Sequence, residues 1–207
     1  MKKALLMAPM GSVHRRFNRA NIVALKELGY EVHLLANFEE GEGTEKQNPE
    51  YVEKCKSEGI IIHSIPYQRH SLIKNLRLIG ETRRFFRENH FDLVHAHTET
   101  GGLIFRASLK KAKKSRKFYT PHGMSFYKGS SLKTQLIYRP IERWICKKMD
   151  GNLTINQEEY QTVLKWKPSS AFLTHGIGLN VERIQNPSKT REEMRKELGL
   201  NQNDFVF

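Results

Sequence analysis

The chain has 207 residues, 38% apolar and 28% charged, a composition that excludes general disorder and a length that can bury a sizeable core. Lysine and arginine total 35 against 22 acids, a net charge of +13, which points to an anionic partner (nucleic acid, phosphorylated ligand or acidic membrane) and is silent on fold. Cys55 and Cys146 have no paired spacing, so neither a disulfide framework nor a zinc module is supported, and a reduced cytosolic compartment is the default.

Residues 3–8 predict a buried first strand. Pro9, Gly11 and the arginines behind them interrupt what would otherwise imitate a signal peptide, and no apolar run approaches the length of a membrane span. A helix over 15–28 follows, with Phe17, Ala20, Ala24 and Leu28 expected on its inner face and Gly29 as its stop. Residues 31–36 form the second strand, 38–49 an acidic mobile loop, 50–58 a helix and 60–65 the third strand. The second half repeats the alternation: a helix over 72–88, a strand over 91–96, a helix over 102–114 and a strand over 117–120. A long helix over 132–149 should kink at Pro140, ahead of a sixth strand over 151–155. Asn156 caps the next helix with Glu159 at its third position, and 171–174 is a last short strand.

This order predicts an α/β fold, a Rossmann-like, doubly wound parallel sheet, over residues 1–184. Residues 185–207 have a different character. A linker-like Gln185-Asn186-Pro187-Ser188 precedes a charged helix capped by Thr190 with Glu193, and the final Asp204-Phe205-Val206-Phe207 looks like a strand without a partner. The expectation is a second domain beginning there.

In doubly wound sheets the ligand sits at the C-terminal ends of the strands. The first such end carries Gly11 and Ser12, where backbone could approach a diphosphate, with His14, Arg15 and Arg16 adding positive charge. The fourth strand ends in His95-Ala96-His97, followed by Thr98 and Glu99. Alternation puts both imidazoles on one face, His95 packed inside and His97 at the cleft, and no third ligand completes a metal site. The fifth strand ends in Thr120-Pro121-His122-Gly123, where Pro121 fixes the turn and Gly123 clears the approach to the imidazole; Lys128 follows. Three basic stretches, Arg15 to Arg19, Lys74 to Arg87 and Lys110 to Lys117, suit an anionic lipid surface better than nucleic acid, because basic helices with apolar companions fit such a surface and no known nucleic-acid module appears.

In order and spacing, several segments resemble the N-terminal half of a retaining GT-B glycosyltransferase of family 4, in particular bacterial capsular and exopolysaccharide enzymes. They are Phe91-Asp92-Leu93-Val94-His95-Ala96-His97, Thr120-Pro121-His122-Gly123 with Phe126-Tyr127-Lys128-Gly129, 153–160 and His175-Gly176-Ile177-Gly178-Leu179-Asn180. The resemblance covers essentially the whole chain. It implies two Rossmann-like domains facing a cleft, the N-terminal one for the acceptor, the other for the nucleotide sugar, with metal-independent transfer and no resident cofactor. By position, His122 would be the catalytic residue near the transferred sugar, and Gly11 and Ser12 would meet the donor diphosphate. His14, Arg15, His97, Thr98, Glu99, Gly123 and Lys128 would line the acceptor side. The implied partners are a nucleotide sugar, a lipid-linked saccharide and an anionic membrane. The protein would lie in the cytoplasm, peripheral on the inner face of the cell membrane, and this chain alone would be monomeric and inactive. A nucleic-acid-binding module and half of a nucleotide-sugar 2-epimerase are the alternatives.

Overall fold

The computed structural model describes residues 1–39, 49–68, 72–112, 114–178 and 181–206. Two compact units form, Met1–Ile177 and Gly178–Phe207. The first holds a seven-stranded, all-parallel sheet: β1 (Lys2–Met10), β2 (Tyr30–Asn37), β3 (Ile61–Ser64), β4 (Leu93–His97), β5 (Arg116–Thr120), β6 (Gly151–Thr154) and β7 (Ala171–Leu173). The strands lie in the order β3-β2-β1-β4-β5-β6-β7. Strand order therefore reverses between β1 and β4, which are paired from Ala4↔Leu93 to Met7↔Ala96. The α/β, Rossmann-like expectation matches this sheet.

Burial on both faces explains why β1 is a near-continuous apolar run beyond Lys3. Alternate residues of β1 serve separate cores: Leu5 and Met7 pack with Phe86, Phe91, Phe105 and Ile145, whereas Ala4 and Leu6 pack with Ile22, Leu25, Val32 and Leu34.

The helices depart from expectation in several places. The helix predicted over 15–28 is two helices, α1 (Gly11–Phe17) and α2 (Arg19–Glu27), and it starts at once from the end of β1. Its inner face is His14, Asn18, Ile22 and Leu25, while Ala20, Ala24 and Leu28 are exposed. Asn18 breaks the helix and its amide donates to His14 Nδ1 at 2.9 Å, so the polar residues of this stripe satisfy one another inside. After α3 (Pro49–Ser57), the helix predicted over 72–88 also divides, into α4 (Leu72–Arg77) and α5 (Ile79–Glu88). Leu76 of α4 is exposed, whereas Phe86 of α5 is buried in the core.

The next helix, α6 (Thr98–Ser108), begins four residues before the predicted start, so Thr98 and Glu99 lie in its first turn. Pro140 sits within α7 (Leu132–Cys146) without ending it, and α8 (Gln157–Lys165) follows, capped by Asn156 Oδ1 accepting from Glu159 N at 2.8 Å. Most of the predicted acidic loop, residues 40–48, lies outside the described residues. The second unit contains α9 (Val181–Gln185) and α10 (Arg191–Glu197), the latter with the expected Thr190–Glu193 capping box. Residues 204–206 form no strand, and Phe207 lies outside the described residues.

Candidate functional site

Strand order reverses between β1 and β4, and the C-terminal ends of strands at such a reversal are where doubly wound sheets bind ligands. Residues from three strand ends meet there. His97, the last residue of β4, is 1% exposed, and its Nδ1 lies 2.9 Å from Nε2 of His122, two residues past β5. His97 is thus enclosed rather than open at the cleft. The ring of Phe17, from α1, stands over His122 at a centroid distance of 5.2 Å. His95 lies below, its ring 4.0 Å from that of His97 and its Nε2 2.8 Å from Thr120 Oγ1.

Burial decides the protonation of this cluster. Desolvation lowers His95 to about 3 and His122 to about 4, and holds His97 well below the ordinary imidazole value. His14 is fully buried and lowered to about 4 for the same reason. It accepts from Asn18 at Nδ1, so its Nε2–H donates to Leu35 O at 3.2 Å. The sequence expectation of positive charge at His14 is therefore corrected: near neutral pH this residue is an uncharged core group, and the charge at the end of β1 comes from exposed Arg15 and Arg16.

Two neutral imidazoles joined by one hydrogen bond have a fixed arithmetic. Each carries one N–H, and only one of the two facing nitrogens can donate. One outer nitrogen of the pair is then an N–H and the other a bare acceptor. Those outer atoms, His97 Nε2 and His122 Nδ1, are both buried and have no hydrogen-bond partner. The pair is a clamp with one donor end and one acceptor end, and reversing the shared bond reverses both ends together.

The backbone around the clamp is constrained. Thr98 (φ 66°) and His122 (φ 59°) both occupy the left-handed region, each just beyond a strand end. Such residues cost about 1–3 kcal/mol apiece and persist where surrounding contacts over-determine them. Three carboxylates supply those contacts after His122. Met124 N donates to Glu159 Oε1 at 2.9 Å, Ser125 N to Glu99 Oε1 at 2.7 Å and Lys128 N to Glu158 Oε1 at 2.6 Å. The Ser125 hydroxyl adds a bond to Glu99. Behind this loop a cavity of about 150 Å³ is lined by Gly123, Phe126, Asn156 and Glu159, whose Oε2 is buried without a partner.

Of the expected site residues, His97 and His122 touch, and Glu99 binds the loop that follows His122. Gly11 is buried where α1 opens, Ser12 is half-buried, and Gly123 is exposed. Lys128 contributes its backbone N–H to the loop and leaves its side chain exposed. Phe17, Glu158 and Glu159 were missed. Asn156 with Glu159 gave the only signal, as a helix start; Glu159 turns its carboxylate to the loop instead of completing a capping box. Among the described residues no group of three or more His, Cys, Asp or Glu side chains could hold a metal ion, and no helix is long and apolar enough to cross a membrane.

The sequence model of Glycosyltransferase Family 4 matches residues 16–171. A Bacillus subtilis protein carrying the name glycosyltransferase EpsD is 29% identical over 212 residues, covering 100% of this chain and 52% of that protein. The Escherichia coli UDP-Gal:alpha-D-GlcNAc-diphosphoundecaprenol alpha-1,3-galactosyltransferase is 23% identical over 139 residues, covering 66% of this chain and 36% of its own. The chain spans about half the length, or less, of these curated relatives. Among solved structures, HepE from Anabaena, in complex with UDP and glucose, aligns with a TM-score of 0.59 at 14% identity over 96% of this chain and 50% of that one. Sucrose-phosphate synthase from Thermosynechococcus elongatus gives 0.60 at 12% identity over 98% and 54%. The structural likenesses establish the fold, one Rossmann-like half of a GT-B arrangement.

Proposed function

Since the chain belongs to glycosyltransferase family 4, we propose that it is the acceptor-side half of a retaining transferase that moves a sugar from a nucleotide-sugar donor to a lipid-linked saccharide in capsular or exopolysaccharide synthesis. Residues 1–184 form the acceptor domain, and 185–207 lead towards a nucleotide-sugar domain. The observation that carries this reading is the His97–His122 pair at the switch point, with both outer nitrogens buried and unpartnered.

Sugars present hydroxyls that donate and accept at once, and the pair offers one N–H and one bare nitrogen. His122 holds a hydroxyl of the transferred sugar while its anomeric carbon becomes oxocarbenium-like, and His97 orients the acceptor. Neutral imidazoles suit this work, since a cation beside that carbon would oppose the developing positive charge. Gly11 and Ser12 face the departing diphosphate, Arg15 supplies cationic charge beside it, and Thr98, Glu99, Gly123 and Lys128 shape the acceptor side. Transfer proceeds without a metal ion, at the inner face of the cell membrane, where a lipid-linked acceptor resides. The E. coli relative's name gives its own acceptor as a diphosphoundecaprenol-linked sugar, which supports this class of acceptor.

The test is transfer from radiolabelled nucleotide sugars to polyprenyl-diphosphate saccharides by the complete two-domain protein, with chelator present. Activity with the anomeric configuration kept supports the reading, and free sugar or an epimerised nucleotide sugar as sole product overturns it. The 207-residue chain alone should transfer nothing, because stabilising the leaving diphosphate requires both walls of the cleft.

A further inference from the structure

We propose that the outward face of α7 is a docking surface for an anionic phospholipid bilayer. The proposal deepens the transferase reading, in which the acceptor is lipid-linked, but stands on separate residues. Along this helix Leu132 (78% exposed), Leu136 (76%), Ile137 (45%) and Trp144 (41%) leave large apolar side chains in solvent. Interleaved with them are Lys133, Arg139, Arg143 and Lys147, with Lys148 just beyond, all exposed. None of these five forms an ion pair among the described residues. The one acid of the helix, Glu142, is 0% exposed and turned inward, towards Tyr119.

An outer face with four large apolar side chains and no acid is unusual for a merely solvated helix. It is the composition of an interfacial helix: apolar side chains enter the acyl boundary while long cationic ones reach the headgroups. A cavity of about 560 Å³ opens where α7 nears the end of α8, lined by Arg139, Arg143, Lys147 and Lys165 together with the rings of Trp144 and Trp166. Four cations without an acid complement a phosphate headgroup, and the rings give its glycerol an apolar wall. Arg106 fixes Trp144 in place, its Nε donating to the Trp144 carbonyl at 3.0 Å and its guanidinium lying 4.1 Å over the ring.

Some members of the basic stretches singled out from sequence are engaged within the fold. Arg83 donates twice to the Ala107 carbonyl, Arg84 pairs with Glu88, and Lys117 donates to the Ser115 carbonyl. The Arg83 bonds join α5 to α6, and the other two are local. Lys113 lies outside the described residues.

The experiment is co-sedimentation of the full chain with vesicles of phosphatidylcholine, with and without 30% phosphatidylglycerol, at low and high salt. Arg139→Gln, Arg143→Gln and Lys147→Gln together should weaken binding to the anionic vesicles by about 10²-fold, at about fivefold per cation. The matched set Lys110→Gln, Lys114→Gln and Arg87→Gln should change it less than fivefold. Brominated acyl chains should quench wild-type tryptophan emission much more than that of Trp144→Phe, whose remaining Trp166 is buried and faces the headgroup end of the site. Equal losses in the two charge sets, unchanged binding in the α7 set, or binding without Trp144 quenching would each overturn the proposal and indicate another face or a protein partner. Transfer by the complete protein to a water-soluble acceptor should survive the α7 substitutions. Vesicle binding by the complete two-domain protein without any transfer would refute the transferase reading and leave the docking surface standing.

Discussion

The hydroxyl of Tyr119, in β5, donates to both carboxyl oxygens of Glu142, in α7, at 2.9 and 3.1 Å, and both side chains are fully buried. Burial, together with the nearby Glu99 carboxylate, holds the Glu142 carboxyl well above its ordinary value. The folded state keeps a proton there that the unfolded chain loses near pH 4.5, so this group's stabilisation is full below that pH and is lost as pH rises through the folded value. Glu142→Gln should flatten that loss at little cost at neutral pH. Tyr119→Phe, which leaves the acid without its donor, should cost about 1–3 kcal/mol. Urea midpoints across pH 5–9 check both, and an alkaline limb unchanged in Glu142→Gln would refute the assignment.

The same tyrosine decides the sign of a substitution at Gly102. A methyl group there would lie 2.4 Å from Tyr119 Cε2 and 2.9 Å from Cδ2. Glycine-to-alanine in a helix ordinarily stabilises by about 0.5–1 kcal/mol. Here the ring is pinned by Glu142 and cannot withdraw, so Gly102→Ala should destabilise by about 1–3 kcal/mol, the range for overpacking. A thermal midpoint equal to or above wild type would show that the ring moves.

Acid should unfold the protein through its buried imidazoles. His14 and His122 at about 4 and His95 at about 3 are depressed below the ordinary 6.5. Each contributes stability that is present above pH 6.5 and is lost as pH falls towards those values. The slope is about 1.4 kcal/mol per pH unit for each extra proton the unfolded chain binds. His14→Gln, which can keep the bonds to Asn18 and the Leu35 carbonyl, should lower the slope between pH 6.5 and 4 by one proton. An unchanged slope would mean that His14 titrates normally in the fold.

If the outer ends of His97 and His122 are linked through their shared bond, their substitutions should not be additive. In the complete two-domain enzyme, His122→Ala should lower kcat by about 10²–10⁴-fold. His97→Ala should act more on the acceptor KM. The double variant should fall short of the product of the two, with a coupling of about 0.5–3 kcal/mol in a double-mutant cycle. Strict additivity would leave two independent side chains.

The strands were legible because β1 has an unbroken apolar run from Ala4 to Ala8, and because Val32, Leu34 to Ala36 and Val94, Ala96 keep β2 and β4 apolar around the buried His33, Asn37, His95 and His97. The helices were less so. The inner stripe of α1 and α2 is His14, Asn18, Ile22 and Leu25, with the correct helical spacing, but half of it is polar and invisible to a hydropathy pattern. Glu142 inside α7 is hidden for the same reason. His97 and His122 stood out at their strand ends. Their mutual bond did not, since strand periodicity says which face a residue takes and nothing about whether a strand end and the turn after its neighbour bring ring nitrogens within 3 Å. Phe17 looked like core because its role depends on the break at Asn18, one residue later. The grip of Glu99, Glu158 and Glu159 on backbone N–H groups leaves no trace in spacing at all.

The placement of β1 between β2 and β4 bears on the chain while it is still being made. β1 can pair with β2 as soon as Tyr30–Asn37 has emerged, but its other edge waits for Leu93. At about 5–20 residues per second, a ribosome takes about 3–11 s to advance from Asn37 to Leu93. Throughout that interval the nascent protein presents an unpaired, strongly apolar strand edge, with Leu5 and Met7 uncovered because Phe91 and Phe105 do not yet exist. Such edges recruit other chains. Holdase chaperones should therefore engage this polypeptide before residue 93 is translated and release it once β4 has docked, and slowing codons placed between β2 and β4 should raise the fraction that aggregates.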